Sequence, residues 1–181
     1  SNTFVEAQQR LTIKVYAHLF QYKYRTFVIG GGHETAFGHC RGLLKALPST
    51  CSLGIINFDA HLDLRPLPAD NVGTSGTPFT EIHKLCEMYN RVFDYTCIGL
   101  QRAATSDELY AKARETGTTI VHHDQLDKAS RAIDSALSCD VIYLSICLDV
   151  FSAAVSPGVS APQPLGVLPN ELLPLIRRIK E

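Results

Sequence analysis

Short runs of Val, Ile, Leu, Phe and Tyr alternate with stretches of helical periodicity along this sequence, and few folds accept that rhythm. Ala7, Leu11, Val15 and Leu19 recur every four residues, so a helix over Phe4–Tyr22 has one apolar face. Thr26–Ile29 is a β-prone apolar run closed by Gly30-Gly31-Gly32, which predicts a buried strand with a sharp turn at its end. The pattern then predicts a helix over Glu34–Ala46, a strand over Leu53–Phe58, a polar loop from Arg65 to Pro78, a helix over Thr80–Tyr89 and a strand over Asp94–Leu100. Beyond these come a helix over Ser106–Glu115 capped by Thr105 or Ser106, a strand over Thr118–His122, and a helix opened by Asp124 or Asp127 that reaches Leu137. A strand over Val141–Leu148 and a helix over Asn170–Ile179 complete the series. Strands this continuously apolar belong to a parallel sheet, so the expected fold is open α/β with helices on both faces. Ligands bind beyond the carboxyl ends of such strands, which places the chemistry in the loops after Ile29, Phe58 and Leu148.

Composition excludes several classes of partner. The chain of 181 residues carries 17 Lys+Arg against 18 Asp+Glu, a formal charge of −1, whereas phosphate backbones and anionic membranes need a dense basic surface. Neither nucleic acid nor membrane is therefore an expected partner. No apolar run reaches the roughly 18 residues of a membrane span, and no charged-then-apolar segment opens the sequence, so a cytoplasmic protein is expected. The length and the 45% hydrophobic content suit one domain with a sizeable core. The 6 cysteines are scattered without a CxxC, which reads as small buried thiols rather than a disulfide framework or zinc ribbon.

Unusual residues cluster at the predicted strand ends. Gly30-Gly31-Gly32-His33-Glu34 follows one, and Asn57-Phe58-Asp59-Ala60-His61-Leu62-Asp63 overlaps the next. Residues two apart in an extended segment share a side, so Asp59, His61 and Asp63 converge if the strand continues through them. Mixed carboxylate and imidazole donors suit Mn, Zn, Fe or Ni, with Mn favoured as carboxylates accumulate. Taken singly, the glycine run fits a tight turn and Asp59 a helix or loop cap. Taken together they point to a cation, since several ionisable groups behind an apolar strand are costly without a counter-charge.

The third cluster is Ser145-Ile146-Cys147-Leu148-Asp149-Val150, followed by Ser156-Pro157-Gly158-Val159-Ser160-Ala161-Pro162. The order GGGH, DAHLD, SICLD and a Pro/Gly-rich loop resembles the ureohydrolase superfamily of arginase and agmatinase. The wider stretches GGGHE, NFDAHLDLRP, GTSGTPF and SPGVSAP are most similar to its formimidoylglutamase branch. The resemblance implies an arginase-like sheet and two Mn2+ ions held by His33, Asp59, His61, Asp63, Cys147 and Asp149. Asp59 and residue 147 would bridge them, and His61 and Asp63 would be catalytic. Two such ions about 3.5 to 4 Å apart lower the pKa of a bridging water, and the hydroxide would attack an amidine-type carbon. The implied reaction is hydrolysis of N-formimidoyl-L-glutamate to L-glutamate and formamide.

The sequence departs from the superfamily pattern in two respects. Cys147 stands where the pattern has a bridging aspartate, and a thiolate is a soft donor that prefers Zn, Cu(I) or Fe to Mn. This predicts a perturbed metal site and keeps open a lapsed enzyme that retains only the fold. The motifs also begin well inside the superfamily pattern and stop at the helix near residue 179, as in a core fragment truncated at both ends. Relatives commonly form trimers or hexamers, so a homo-oligomer is implied.

Arg65, two residues past Asp63, offers a planar fork for a substrate carboxylate, with Thr74, Ser75 and Gly76 adding hydroxyl and backbone donors. A small-molecule substrate ending in a carboxylate is thus expected. Arg65 also speaks against agmatine or arginine, because a second cation would repel them. The alternative for Arg65 is a surface ion pair. His39 and the His122-His123-Asp124 run read as structural, and Cys147 lacks a neighbouring His to activate it as a nucleophile.

Overall fold

The computed structural model describes residues 2–180, and the chain divides into two compact units. One is built from Ser52–Leu62 and Val92–Glu181, the other from Ser1–Cys51 and Asp63–Arg91.

The first unit holds the sheet. Strands β1 (Leu53–Phe58), β2 (Asp94–Leu100), β3 (Thr119–His122) and β4 (Val141–Ile146) pair in parallel in the order β3-β2-β1-β4. Every residue of β1 is buried, as its largely apolar sequence requires of a strand paired on both sides. Helix α4 (Asp107–Glu115) starts where expected, with the Ser106 hydroxyl accepting the Leu109 N–H. Helices α5 (Ala129–Ala136) and α6 (Pro169–Lys180) join the core of this unit through Ala129, Ala132, Ile133 and Ala136, and through Leu172 and Leu175. Those side chains close over Ile56, Phe58, Ile98 and Val121, giving the continuous apolar layer that holds the sheet.

Two boundaries differ from expectation here. Neither Asp124 nor Asp127 caps α5, because the chain first turns after β3, with Gln125 N–H bonded to the His122 carbonyl, and then makes a 3-10 turn over Leu126–Lys128. Strand β4 stops at Ile146 because Leu148–Val150 tightens into another 3-10 turn, Val150 N–H donating to the Cys147 carbonyl. Cys147 and Asp149 thus lie on a turn, not a strand.

The second unit is helical. Helices α1 (Asn2–Tyr22) and α2 (Thr35–Ala46) pack together, the Thr12 hydroxyl donating to the carbonyls of Gln8 and Gly38. Helix α3 (Pro78–Met88) begins two residues before the predicted Thr80, since Pro78 occupies a first-turn position where its fixed φ is already helical and no N–H is missed.

The predicted strand Thr26–Ile29 is absent. These residues are coil, pair with no strand among the described residues, and leave Phe27 at 88% and Ile29 at 96% exposure. An apolar run becomes a strand only when a neighbour satisfies its backbone, and this one has none. Among the described residues no helix is long and apolar enough to cross a membrane.

Candidate metal centre

In the sheet unit the candidate ligands follow directly from strand ends. The ladder extends one residue past β1, with Asp59 N–H donating to the Ile98 carbonyl. The Ala60 carbonyl accepts the Gln101 N–H, and the Cys97 thiol donates to the His61 carbonyl at 3.3 Å, so this loop follows β2 and its exit. Gly99, at φ +100°, makes that path possible. A side chain there would strike Val150 at 2.4 Å. On the other flank, Cys147 N–H donates to the Phe58 carbonyl, which brings the turn bearing Cys147 and Asp149 to the end of β1.

Asp59, His61 and Asp149 meet there, with ligand atoms within 4.8 Å of one another. His61 Nδ1 lies 3.1 Å from Asp149 Oδ2 and 3.5 Å from Asp59 Oδ1. Hydrogen bonds to Asp149 first, and then to Asp59, push the His61 imidazole from 6.5 up to about 10, against the opposing effect of its burial. One imidazole nitrogen serves two carboxylates, and Asp149 Oδ1 is buried without a hydrogen-bond partner among the described residues. A buried acceptor of this kind is expensive to leave unmatched. A divalent cation matches it, and two carboxylates with one imidazole are a donor set for Mn2+ or a similar ion. Cys147 Sγ lies within 4.8 Å of an Asp59 carboxylate oxygen. It belongs to the same cluster but contributes the one soft donor.

The helical unit carries the other two expected ligands. Gly30 and Gly31, at φ +91° and +86°, make a turn that side-chain-bearing residues adopt only with strain, and His33 follows it. His33 Nδ1 bonds Asp63 Oδ2 at 2.7 Å, and its ring meets Phe79 edge-on at a centroid distance of 5.5 Å. Asp63 itself sits at φ +47°, its carbonyl accepting the Phe79 N–H at the start of α3. This corrects the expectation of a strand continuing through Asp63. The strand ends at Phe58, a bend follows at Ala60–His61, and Asp63 is left-handed, so strand alternation does not extend over these residues: Asp59 and His61 meet Asp149, and the Asp63 carboxylate is bonded to His33.

Arg65 and the loop after it also lie in the helical unit. Arg65 N–H donates to the Gly76 carbonyl, and its own carbonyl accepts the Thr80 hydroxyl. The Arg65 side chain crosses Gly76 so closely that a methyl group there would come within 2.9 Å of Arg65 Cδ. Arg65, Thr74 and Ser75 are exposed, and among the described residues no carboxylate is paired with Arg65. The Thr74 hydroxyl accepts the Gly76 N–H at 3.3 Å, a bond that shapes the loop.

The remaining candidates are structural. His39 Nε2 bonds the Thr26 hydroxyl at 2.8 Å, and burial holds its imidazole below the usual value. His122 Nε2 bonds the Tyr110 hydroxyl at 3.1 Å. All 6 cysteines are free thiols, but only Cys40, Cys86 and Cys97 are buried. Sequence reasoning passed over Asn57 and Tyr95, both fully enclosed and hydrogen-bonded to each other, with Asn57 also bonded to Asp59. An amide inside the otherwise apolar run LGIINF was the available signal.

The family model for the arginase family matches residues 3–181. Formimidoylglutamase from Citrobacter koseri is 51% identical over 144 residues, 79% of this chain and 45% of that protein. Formimidoylglutamase from Photorhabdus laumondii is 44% identical over 184 residues, 98% of this chain and 56% of that protein. The crystal structure of Trypanosoma cruzi formiminoglutamase with Mn2+ matches at a TM-score of 0.83 and 27% identity, covering 97% of this chain and 59% of that one. The chain thus spans about half the length of the curated relatives it matches.

Proposed function

Because the chain belongs to the arginase family, we propose that it is the metal-holding part of a hydrolase that cleaves N-formimidoyl-L-glutamate to L-glutamate and formamide. The observation that carries this reading is the Asp59–His61–Asp149 cluster, with its unmatched Asp149 oxygen, at the carboxyl end of a parallel sheet. The proposed ligands are His33, Asp59, His61, Asp63 and Asp149, with Cys147 at the remaining position of the family pattern. Manganese is the proposed ion on the strength of the donor set and of the Trypanosoma cruzi structure, which contains it. A bound divalent ion supplies Lewis acidity and so makes water nucleophilic near neutral pH.

The protein's own groups then divide the work. Asp59, His61 and Asp149 bring negative charge and an imidazole to one point, fixed by β1, β2 and the turn after β4. The exposed Arg65 guanidinium, paired with no carboxylate among the described residues, takes a substrate carboxylate as a two-pronged partner. Water adds to the amidine carbon, the bond from that carbon to the glutamate nitrogen breaks, and the nitrogen takes the proton. The assay is formamide release by the full chain with and without Mn2+, with agmatine and arginine as comparison substrates. Activity confined to formimidoylglutamate supports the reading, and Arg65→Ala should then raise KM strongly; an unchanged KM removes Arg65 from substrate recognition.

Cys147 favours a second reading, a family member that keeps the fold without turnover. Cys147→Asp decides between the two. Activity gained only in the variant identifies a lapsed enzyme, whereas activity already present in the natural sequence shows that the thiol is compatible with catalysis.

A further inference from the structure

The amide buried in β1 has a geometry that only one orientation satisfies. Asn57 Nδ2 donates one hydrogen to Asp59 Oδ2 at 3.0 Å and the other to the Tyr95 hydroxyl at 3.1 Å. The Tyr95 hydroxyl spends its single hydrogen on the Leu62 carbonyl at 3.0 Å, so toward Asn57 it can only accept. Turning the amide over would set Asn57 Oδ1 against a carboxylate oxygen on one side and an acceptor on the other. The orientation is therefore fixed by chemistry, and it leaves Asn57 Oδ1 buried with no partner among the described residues.

A fold selected for stability alone would not keep that oxygen, since an apolar residue of similar size removes an unmatched buried acceptor. What the arrangement secures is the plane of the Asp59 carboxylate. Asp59 is completely buried; its Oδ2 accepts an N–H from Asn57, and its Oδ1 accepts the His61 backbone N–H at 2.8 Å and lies 3.5 Å from His61 Nδ1. The backbone donor is immovable. The Asn57 donor is a side chain, itself held by Tyr95 on the adjacent strand, where Tyr95 stands in register with Ile55.

We propose that Asn57 is a positioning residue that orients Asp59 toward the metal, with Tyr95 holding Asn57 in place. This rests on the metal-site reading above and extends it to two buried residues. Groups that orient metal ligands from behind change metal affinity by about 10- to 100-fold when removed. Asn57→Leu deletes the donor and the unmatched oxygen together. Tyr95→Phe keeps the donor but releases its anchor, so its effect should be the smaller of the two.

The test is a Mn2+ titration of the full chain and its variants, followed by electron paramagnetic resonance, well below the melting temperature of each metal-free protein. Asn57→Leu should bind Mn2+ about 10- to 100-fold more weakly, with an altered spectrum of the bound ions and unchanged circular dichroism. Tyr95→Phe should show a smaller loss in the same direction. Equal affinity and identical spectra in natural and variant proteins overturn the proposal, leaving Asn57 a structural residue and the metal site intact. If Asn57→Leu does not fold, Asn57→Ser and Tyr95→Phe decide by the same two readouts. If the natural protein itself takes up no divalent ion, the metal-site reading fails and this proposal falls with it.

Discussion

Two apolar runs of this chain lead into candidate ligands, and they end up in opposite environments. Leu53–Phe58 is paired on both sides, is buried at every residue, and delivers Asp59 and His61. Thr26–Ile29 is equally β-prone, leads to His33, and remains exposed coil. Local pattern is shared by the two, so the difference lies in what each has to pair with. The consequence for the site is that Asp59 is held by backbone ladders and a buried amide, whereas His33 depends on a glycine turn and its bond to Asp63.

The largest effect should come from the paired run. Phe58→Ala empties a fully buried position in the core and should destabilise the protein by about 3–5 kcal/mol in denaturant unfolding. A cost near zero would show that β1 is not the anchor of its unit. At the glycine turn, Gly30→Ala meets no neighbour within 4 Å, so only its left-handed φ is strained, for about 1–2 kcal/mol. Its second signature should be weaker metal binding with β1 unaffected.

Acidification separates the runs more subtly. Burial holds His39, the partner of Thr26, below its ordinary value of 6.5, so its contribution to stability is complete above that pH. It is lost as pH falls through 6.5 toward the lower folded value. His39→Gln should flatten that part of the pH–stability curve; an identical curve would detach His39 from it. The smallest effect belongs to Phe27→Ser, expected within about 0.5 kcal/mol because the ring is already in water. A large loss would mean that the run is packed after all.

Much of the sheet was legible because its strands carry their own boundary signals. Leu53–Phe58 and Asp94–Leu100 are bounded as expected, and Ser106 caps α4 through its hydroxyl. Thr26–Ile29 was misread because pairing is a property of the surroundings and not of the run. Asp124 and Asp127 were plausible caps that the turn after β3 displaced. In the site, Asp59 and His61 come together although β1 ends at Phe58 and Ala60–His61 is a bend, so alternation along a strand is not what joins them, and the left-handed backbone of Asp63 was not legible either, since Asp tolerates that conformation without announcing it. The Asn57–Tyr95 support was invisible for a related reason: it depends on which strands become neighbours, and β2 lies more than thirty residues further along the chain.

The proposed function depends on the carboxylates and imidazole at the end of β1 binding a divalent metal. It is tested most directly by metal content per chain, measured by plasma mass spectrometry on protein purified without chelator, supplemented with Mn2+ and passed through gel filtration. Stoichiometric metal in the natural protein and its loss in Asp149→Ala is the predicted result. A natural protein that emerges metal-free, with Asp149→Ala indistinguishable from it, would contradict the claim.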